Sequence, residues 1–162
     1  QMIIIAIGSN LISSKYRSSI DACEASIDMM LDHKITLVDK SSWYKSEPIP
    51  VSSQPNFING VILINTILNS HELLIKLKAI ETQMGRIRST KNANRIIDLD
   101  IISYNDEITE TNLLTLPHPR LADRAFVLMP ISELVPDWRH PLSNISINTM
   151  LKQVKEQRIT KI

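Results

Sequence analysis

Two carboxylates stand two residues apart in the otherwise apolar segment RIIDLDIISY, residues 95–104. Residues i and i+2 of a β-strand point to the same face, roughly 6.5–7 Å apart along the backbone, so Asp98 and Asp100 should project together. Burying an unpaired carboxylate is costly, and proteins pair it, neutralise it or give it a metal. A hard cation such as Mg²⁺ prefers oxygen ligands and keeps positions for water or substrate phosphates. The pair therefore indicates either a magnesium site or two solvated acids on an edge strand.

A basic segment comes just before this pair. Four cations and no acid lie between residues 81 and 98: Arg86, Arg88, Lys91 and Arg95. The planar fork of arginine matches phosphate oxygens, and it can stabilise charge that develops during phosphoryl transfer. The segment alone could be a solvated basic loop. Its position beside Asp98 and Asp100 favours a polyphosphate ligand.

A third segment, KSEPIPVSSQPNFIN, covers residues 45–59 and has the composition of a mobile lid that leads into a strand. Phe57 and Asn59 fall on one face of that strand, so a stacking ring and an amide share a site. Asn59 lies within an apolar run and needs a hydrogen-bond partner. That partner is either an internal backbone group or a heterocyclic ligand.

A fourth segment, PHPRLADRAF, covers residues 117–126. His118 stands between two prolines, outside any regular element, and could contact a phosphate or a ribose. Arg124 and Phe126 follow it. Trp43 and Tyr44, by contrast, are expected to pack in the core rather than against a ligand.

The elements that must position these residues follow from the hydrophobic pattern. A strand opens the chain and breaks at residues 8–10, a helix follows over 16–31, and the next strand begins near Ile35. Residues 57–68 suit an interior strand, and a helix capped by Ser70 and ended by Gly85 precedes the strand with the acids. The order β-α-β-β-α-β is that of the α+β, ferredoxin-like class. Helices then flank an antiparallel sheet in three layers.

Beyond this core the sequence predicts shorter elements. A hairpin turn is expected at residues 105–106, followed by a short helix with Pro130 in its first turn. A final helix should cover residues 147–155. The last residues, KEQRITKI (155–162), have the composition of a solvated end.

The net charge and the counts of cysteine and glycine argue against several classes of protein. A net charge of +1 gives no support for a nucleic-acid or membrane partner. One cysteine, Cys23, allows no internal disulfide, which suits a reducing cytoplasm. Only three glycines occur, in neither of the usual glycine-rich phosphate-binding motifs. A nucleotide must therefore be held by other means.

Over nearly its whole length, and in the right order, the chain resembles the 6-hydroxymethyl-7,8-dihydropterin pyrophosphokinase family of folate biosynthesis. The matching segments are AIGSN (6–10), SSWYKSEP (41–48), QPNFIN (54–59), IETQMGRIR (80–88), NRIIDLDI (94–101) and LPHPRLADRAF (116–126). The resemblance implies transfer of pyrophosphate from ATP to 6-hydroxymethyl-7,8-dihydropterin, which gives the pterin diphosphate and AMP.

The resemblance also implies roles for individual residues. Asp98 and Asp100 would hold two Mg²⁺ ions that grip the triphosphate, and Arg86 and Arg95 would stabilise the transferring group. The residues implied around ATP are Glu81, Arg88, Arg95, Ile101, Thr115, His118 and Arg124. Around the pterin, the resemblance implies that Phe57 and Phe126 sandwich the ring and that Asn59 hydrogen-bonds its edge. It implies that the pocket is lined, mainly through backbone groups, by Ser46, Glu47 and Ile49. The segments 45–56 and 86–94 would close over both substrates.

The chain departs from the family pattern before Arg95, where many members have Trp-Gly-Pro and this chain has Asn92-Ala93-Asn94. A tryptophan that covers the pterin in those members is therefore missing, so lid closure should be weaker or use other contacts. Glu47 also replaces a common proline, and Ser89 stands where a lysine is often found. These changes bear on substrate affinity more than on the reaction.

We expect a single pyrophosphokinase domain over residues 2–162, with Met2 as the native start, and a cytoplasmic protein. The isolated domain should be monomeric. The resemblance also implies that it could be one domain of a longer fused folate enzyme, or work beside dihydropteroate synthase.

Two other classes of function stay open at this point. A nucleotidyltransferase also combines Gly-Ser with an Asp-x-Asp pair, but here Gly8-Ser9 precedes Asp98 by most of the chain. A non-catalytic ferredoxin-like module could bind RNA or a regulatory small molecule. The aromatic content of 4% and the lack of an aromatic strand pattern argue against RNA.

Overall fold

The computed structural model describes residues 1–10, 16–46, 56–85 and 96–162. Its strands are β1 (Ile3–Ser9), β2 (Ile35–Lys40), β3 (Tyr44–Ser46), β4 (Phe57–Thr66), β5 (Asp98–Tyr104), β6 (Thr109–Glu110), β7 (Thr115–Leu116) and β8 (Ile159–Lys161). Its α-helices are α1 (Ser19–Met30), α2 (Ser70–Gln83), α3 (Ala125–Leu134) and α4 (Ile147–Gln153), and 3-10 turns cover Leu31–His33 and Leu121–Asp123.

The main sheet has six strands in the order β5-β1-β4-β3-β8, with β2 also paired to β4, and every pairing is antiparallel. The segments β2 and β3 pair with successive parts of β4, so together they fill the position of one long strand. The resulting arrangement confirms the predicted ferredoxin-like order. It also confirms that residues 57–66, apolar on both faces, form an interior strand.

Helices cover both faces of this sheet, as the three-layer prediction requires. On one face α1 and α2 pack on the odd-numbered residues of β1, a core that includes Ile5, Leu73 and Leu99. On the other face α3 and α4 pack on Ile4, Val61 and their neighbours. The period of two along each strand separates these two cores and decides which side chains face which layer.

The start of α2 corrects one prediction. The N-cap is Asn69 rather than Ser70: the Asn69 side chain accepts a hydrogen bond from the Glu72 N–H, and the Glu72 carboxylate accepts one from the Asn69 N–H, each at 2.9 Å. This reciprocal capping box satisfies two backbone donors at once. The Ser70 hydroxyl instead donates to Glu107. The predicted end is correct, since Gly85 follows the helix with φ of 96°.

Two further predictions were wrong, and a third was incomplete. Pro130 lies in the middle of α3, where it leaves the Phe126 carbonyl without its helical donor; apolar packing of α3 on the sheet outweighs that loss. The strand after the turn at residues 105–106 pairs with β7, not with β5. The chain end is mostly exposed, as predicted, but the prediction missed that β8 adds a strand beside β3.

Trp43 and Tyr44 are buried, as expected, and Cys23 is buried too. In the described parts of the chain, none of the helices combines the length and the apolar character needed to cross a membrane.

Candidate active site

Asp98 and Asp100 lie at the start of β5, an edge strand of the main sheet, and both side chains are half-buried. Leu99 between them is buried in the core under α1 and α2. The two carboxylates therefore face the opposite layer, the one that contains α3. This is the shared orientation that the spacing predicted.

A row of paired residues crosses the sheet from Asp98. Asp98 pairs with Gly8, Gly8 pairs with Asn59, and Asn59 pairs with Tyr44. Because neighbouring strands lie about 4.8 Å apart, Asp98 and Asn59 are separated by roughly 10 Å on the same face. Asn59 is 8% exposed. Within the described ranges its side-chain amide makes no hydrogen bond to another group.

Phe57 and Ser46 mark the next position along the same end of the sheet. Phe57 lies two residues before Asn59, so it shares the face of that amide, and it pairs with Ser46 at the end of β3. Both side chains are half-buried. The ring and the amide therefore lie on one face, as the spacing predicted.

The N-terminus of α3 brings Arg124 and Phe126 to this face. The Arg124 guanidinium lies over the Phe126 ring, 5.5 Å from its centroid, in a cation–π contact. Burial, followed by the charge of Arg120, lowers the pKa of Arg124, and the charges of Asp100, Asp123 and Asp98 act in the opposite direction. Arg124 therefore lies within electrostatic reach of both site carboxylates.

His118 is fixed beside β5 by its own backbone and ring. Its N–H donates to the Ile102 carbonyl at 2.9 Å, and its Nδ1 accepts from the Arg120 N–H at 3.2 Å. Burial first, then the charges of Arg124 and Arg120, lowers the pKa of His118. The ring is thus neutral at pH 7, with its proton on Nε2, where it can donate to a ligand.

Three of the residues predicted around ATP lie in or beside β5. Glu81 is 2% exposed, and its carboxylate accepts a hydrogen bond from the Leu99 N–H at 2.8 Å. The Ile101 side chain packs in the core under α1 and α2. Thr115 is half-buried in β7, next to β5. Glu81 and Ile101 can therefore affect a ligand mainly through the backbone of β5.

Five predicted site residues lie outside the described residues: Glu47, Ile49, Arg86, Arg88 and Arg95. The ends to which their segments attach are described. Residues 47–55 connect Ser46 to Asn56, and residues 86–95 connect Gly85 to Ile96. Because β3 ends where β4 and β5 begin, both segments join the molecule at the end of the sheet that carries Asp98 and Phe57.

Sequence reasoning missed two residues that shape this region. Gly8 lies between Asp98 and Asn59 in the cross-strand row. The sequence feature that could have revealed it is a glycine inside an isoleucine-rich strand. Glu133 on α3 accepts hydrogen bonds from the Tyr44 hydroxyl at 2.6 Å and from the Ser42 N–H at 2.9 Å. The signal for Glu133 was the buried Tyr44, whose hydroxyl requires a partner.

Fold and site together define an α+β protein with a ferredoxin-like sheet, one end of which carries paired carboxylates, an arginine and an aromatic–amide pair. The model of the family described as 7,8-dihydro-6-hydroxymethylpterin-pyrophosphokinase (HPPK) matches residues 4–136. This chain belongs to that family.

Individual relatives agree with this assignment. The chain is 35% identical over 159 residues to 2-amino-4-hydroxy-6-hydroxymethyldihydropteridine pyrophosphokinase of Haemophilus influenzae, a match that covers 98% of this chain and 96% of that protein. It is 44% identical over 114 residues to the Synechocystis protein of the same name, covering 70% of this chain but 58% of that protein. It therefore spans little more than half of the Synechocystis relative.

Among solved structures, the crystal structure of Plasmodium falciparum HPPK-DHPS with pteroate matches with a TM-score of 0.71 at 12% identity. The match covers 94% of this chain and 44% of that chain. At this identity the likeness establishes the fold. It agrees with the three-layer arrangement described above.

Proposed function

We propose that the chain catalyses transfer of pyrophosphate from ATP to 6-hydroxymethyl-7,8-dihydropterin, in the cytoplasm, as a step of folate biosynthesis. The observation that carries this proposal is that a carboxylate pair, Arg124 and the set of Phe57, Asn59 and Phe126 share one face and one end of the sheet. Membership of the pyrophosphokinase family supports the same reaction. The pterin hydroxyl oxygen forms a bond to the β-phosphorus, the bond from that phosphorus to the bridging oxygen of the α-phosphate breaks, and AMP leaves.

The donor set on β5 fits magnesium. Asp98 and Asp100 offer carboxylate oxygens on one face, and in the described parts of the chain no group of three or more His, Cys, Asp or Glu side chains could hold a metal. Two carboxylates with the remaining positions filled by phosphates and water are the usual arrangement for Mg²⁺ with a nucleotide. When bound there, two Mg²⁺ ions would neutralise the phosphates and polarise the reacting phosphorus.

The residues of the chain bind and orient ATP around these carboxylates. His118 donates from Nε2 to a phosphate or ribose oxygen, and Arg124 contributes positive charge beside Asp100. The Leu99 N–H points away from β1 toward Glu81, and the alternation of an antiparallel strand turns the Ile101 N–H and C=O to the same outer edge. These Ile101 groups are suited to hydrogen-bond the adenine, and Glu81 steadies that edge. Thr115, Arg88 and Arg95 complete the ATP site, and Arg86 and Arg95 stabilise the transferring group.

The pterin lies between Phe57 and Phe126, with its edge against the Asn59 amide. Ring stacking and an amide edge suit a flat heterocycle with alternating donors and acceptors. Ser46, Glu47 and Ile49 line the pocket, mainly through backbone groups. Arg124, whose guanidinium lies over the Phe126 ring, would supply a cation between the pterin and the phosphates.

The partners of the domain follow from the same proposal. ATP and the pterin are its substrates, and neither a nucleic acid nor a membrane is involved. The domain acts as a monomer, or as part of a longer folate enzyme that carries dihydropteroate synthase.

The test is an assay of nucleotide products with purified protein, ATP, Mg²⁺ and 6-hydroxymethyl-7,8-dihydropterin. AMP that forms only when both pterin and metal are present supports pyrophosphoryl transfer. ADP would indicate an ordinary kinase, and inorganic pyrophosphate with an adenylylated pterin would indicate a nucleotidyltransferase. No nucleotide product from folded protein would favour a regulatory module and contradict the proposal.

A further inference from the structure

Gly8 lies inside β1 at a position where the backbone does not require glycine. It is paired on both sides, with Asp98 on β5 and with Asn59 on β4, in the extended conformation that any residue adopts. Among the described residues, Gly85 is the glycine with positive φ. A glycine inside a strand weakens it and commonly marks a place where another group approaches closely.

The group that approaches Gly8 is the Asn59 amide. A methyl carbon built on Gly8 would lie 2.7 Å from Asn59 Oδ1, well inside contact distance. The next atoms are the Ile58 carbonyl oxygen at 3.7 Å and Asn59 Cγ at 3.8 Å, both in ordinary contact. The amide oxygen therefore occupies the space that a side chain at residue 8 would take.

The direction of this contact matters for the site. In the row Asp98, Gly8, Asn59, Tyr44, the Asn59 oxygen leans over Gly8, toward the strand that separates it from Asp98. On the side of Asn59 away from Gly8, the buried Tyr44 pairs with Asn59, and its hydroxyl donates to Glu133. Asn59 is itself buried, so its amide has few alternative positions.

We infer that Gly8 is a positioning residue for Asn59: its missing side chain sets the orientation in which that amide meets the edge of a flat nitrogen heterocycle. The inference rests on the proposed function for the identity of the heterocycle, the pterin. An alanine at residue 8 rotates the amide away from β1 and misaligns its donor and acceptor with the ring edge.

The test is a double-mutant cycle with Gly8→Ala and Asn59→Ala, measured by the KM values for pterin and ATP. Gly8→Ala should raise the pterin KM by about tenfold, the equivalent of roughly one lost hydrogen bond, and change the ATP KM by less than about twofold. In the Asn59→Ala background the same substitution should change the pterin KM by less than about twofold, because the displaced amide is gone. Equal factors in the two backgrounds would overturn the inference.

Gly60→Ala is the matched control. A methyl carbon at Gly60 would lie 2.7 Å from the Trp43 ring, on the opposite face of the sheet. Gly60→Ala should lower the melting temperature, and the same decrease should persist in the Asn59→Ala background. If Gly8→Ala alone fails to fold, the Gly8→Ala/Asn59→Ala protein should fold, and failure of both would place the clash elsewhere and overturn the inference.

A second readout separates this inference from the proposed function. The side-chain amide resonances of Asn59 should shift between the wild type and Gly8→Ala in the absence of any substrate. Unshifted resonances would overturn the role of Gly8 whatever the activity. A wild-type chain that forms no AMP from ATP and pterin would overturn the proposed function and the identity of the heterocycle.

Discussion

The carboxylates of β5 are the residues on which the proposed chemistry depends most directly. Asp98→Ala and Asp100→Ala should each lower kcat by about 100-fold or more, because charge stabilisation during transfer is lost with the bound cation. Both side chains are half-buried on the site face, so their loss should leave the fold intact. Product formation under saturating ATP, pterin and Mg²⁺ measures the effect.

Asp106→Ala is the control for these two variants. Asp106 is an exposed acid in the turn after β5, at the end of the strand opposite to the site. Its removal should leave kcat within about twofold of the wild type, as expected for an exposed charge. Full turnover by Asp98→Ala or Asp100→Ala would show that the metal assignment is wrong.

His118 should make folding stability depend on pH. Its pKa is lowered in the folded protein, first by burial and then by Arg124 and Arg120. The unfolded chain therefore takes up the proton first as the pH falls below about 6.5. The stability that neutral His118 contributes is fully present above that pH. It is lost as the pH falls toward the folded pKa, and the loss levels off below that pKa. Melting temperatures between pH 8 and pH 5 should be less pH-dependent for His118→Gln than for the wild type.

An NMR titration of the imidazole gives the more direct measurement. The His118 signals should titrate below the ordinary value, and Arg124→Met should move their midpoint upward because one of the two nearby cations is removed. A midpoint at or above 6.5 in the wild type would contradict the described environment of the ring.

At the scale of single residues, the sequence predicted which side chains share a face of a strand, because strand alternation fixes this. The shared face of Asp98 and Asp100, and that of Phe57 and Asn59, follow from spacing alone. The position of Glu81 did not follow, because its carboxylate meets the Leu99 N–H, 18 residues away, across the packing of α2 on β5. Such contacts depend on tertiary packing, which spacing does not encode.

At the scale of elements, β3 is held between two helices on opposite faces of the sheet. The consecutive residues Trp43 and Tyr44 point to opposite layers. Trp43 Nε1 donates to Glu24 on α1 at 2.8 Å, and the Tyr44 hydroxyl donates to Glu133 on α3 at 2.6 Å. The segment that leads to Ser46 and residues 47–55 is thereby tied to both helical layers.

Glu24→Gln and Glu133→Gln should each destabilise the fold by about 1 kcal/mol, the size of a typical hydrogen-bond loss at a partly exposed site. The two effects should add within about 0.5 kcal/mol, since the two carboxylates lie on opposite faces and share no partner. Urea unfolding at pH 7 measures both. A strongly non-additive double variant would show that the two contacts are coupled through β3.

The same pair of carboxylates should respond to acid. Burial alone would raise the pKa of each, but hydrogen bonds outweigh it: those from Lys40 and Trp43 lower the pKa of Glu24, and those from Tyr44 and Ser42 lower the pKa of Glu133. The stability they contribute is present above the ordinary glutamate pKa and is lost as the pH falls through the folded pKa. The cost of both glutamine variants should therefore shrink as the pH falls below about 4.

Elements with a strong periodic pattern were predicted, and those held by backbone pairing alone were not. The order of β1, α1, β4 and α2 followed from their hydrophobic spacing. The strand β8 is exposed and carries a lysine, and its stability depends on hydrogen bonds to β3 that composition does not encode. The N-cap of α2 was misassigned by one residue because both Asn69 and Ser70 are good caps.

At the scale of the whole molecule, Cys23 reports on the integrity of the core between α1 and the sheet. It is the one cysteine of the chain and is fully buried. Burial, followed by the charge of Glu24, raises its pKa to about 12. The thiolate is the reactive form, so a thiol reagent should reach Cys23 only when the core opens.

Labelling of the native protein at pH 8 should therefore be slower than labelling in urea by roughly 1,000-fold or more, in line with the stability of ordinary domains. A Cys23→Ala/Asn112→Cys protein is the control, since Asn112 is exposed and its replacement should label rapidly without urea. Glu24→Gln should speed labelling of Cys23 by about fivefold, the equivalent of 1 kcal/mol. Asp98→Ala should leave the rate unchanged, because its carboxylate faces the site. If Asp98→Ala sped labelling as much as Glu24→Gln does, its loss of activity would be due to a weakened core rather than to a lost cation ligand.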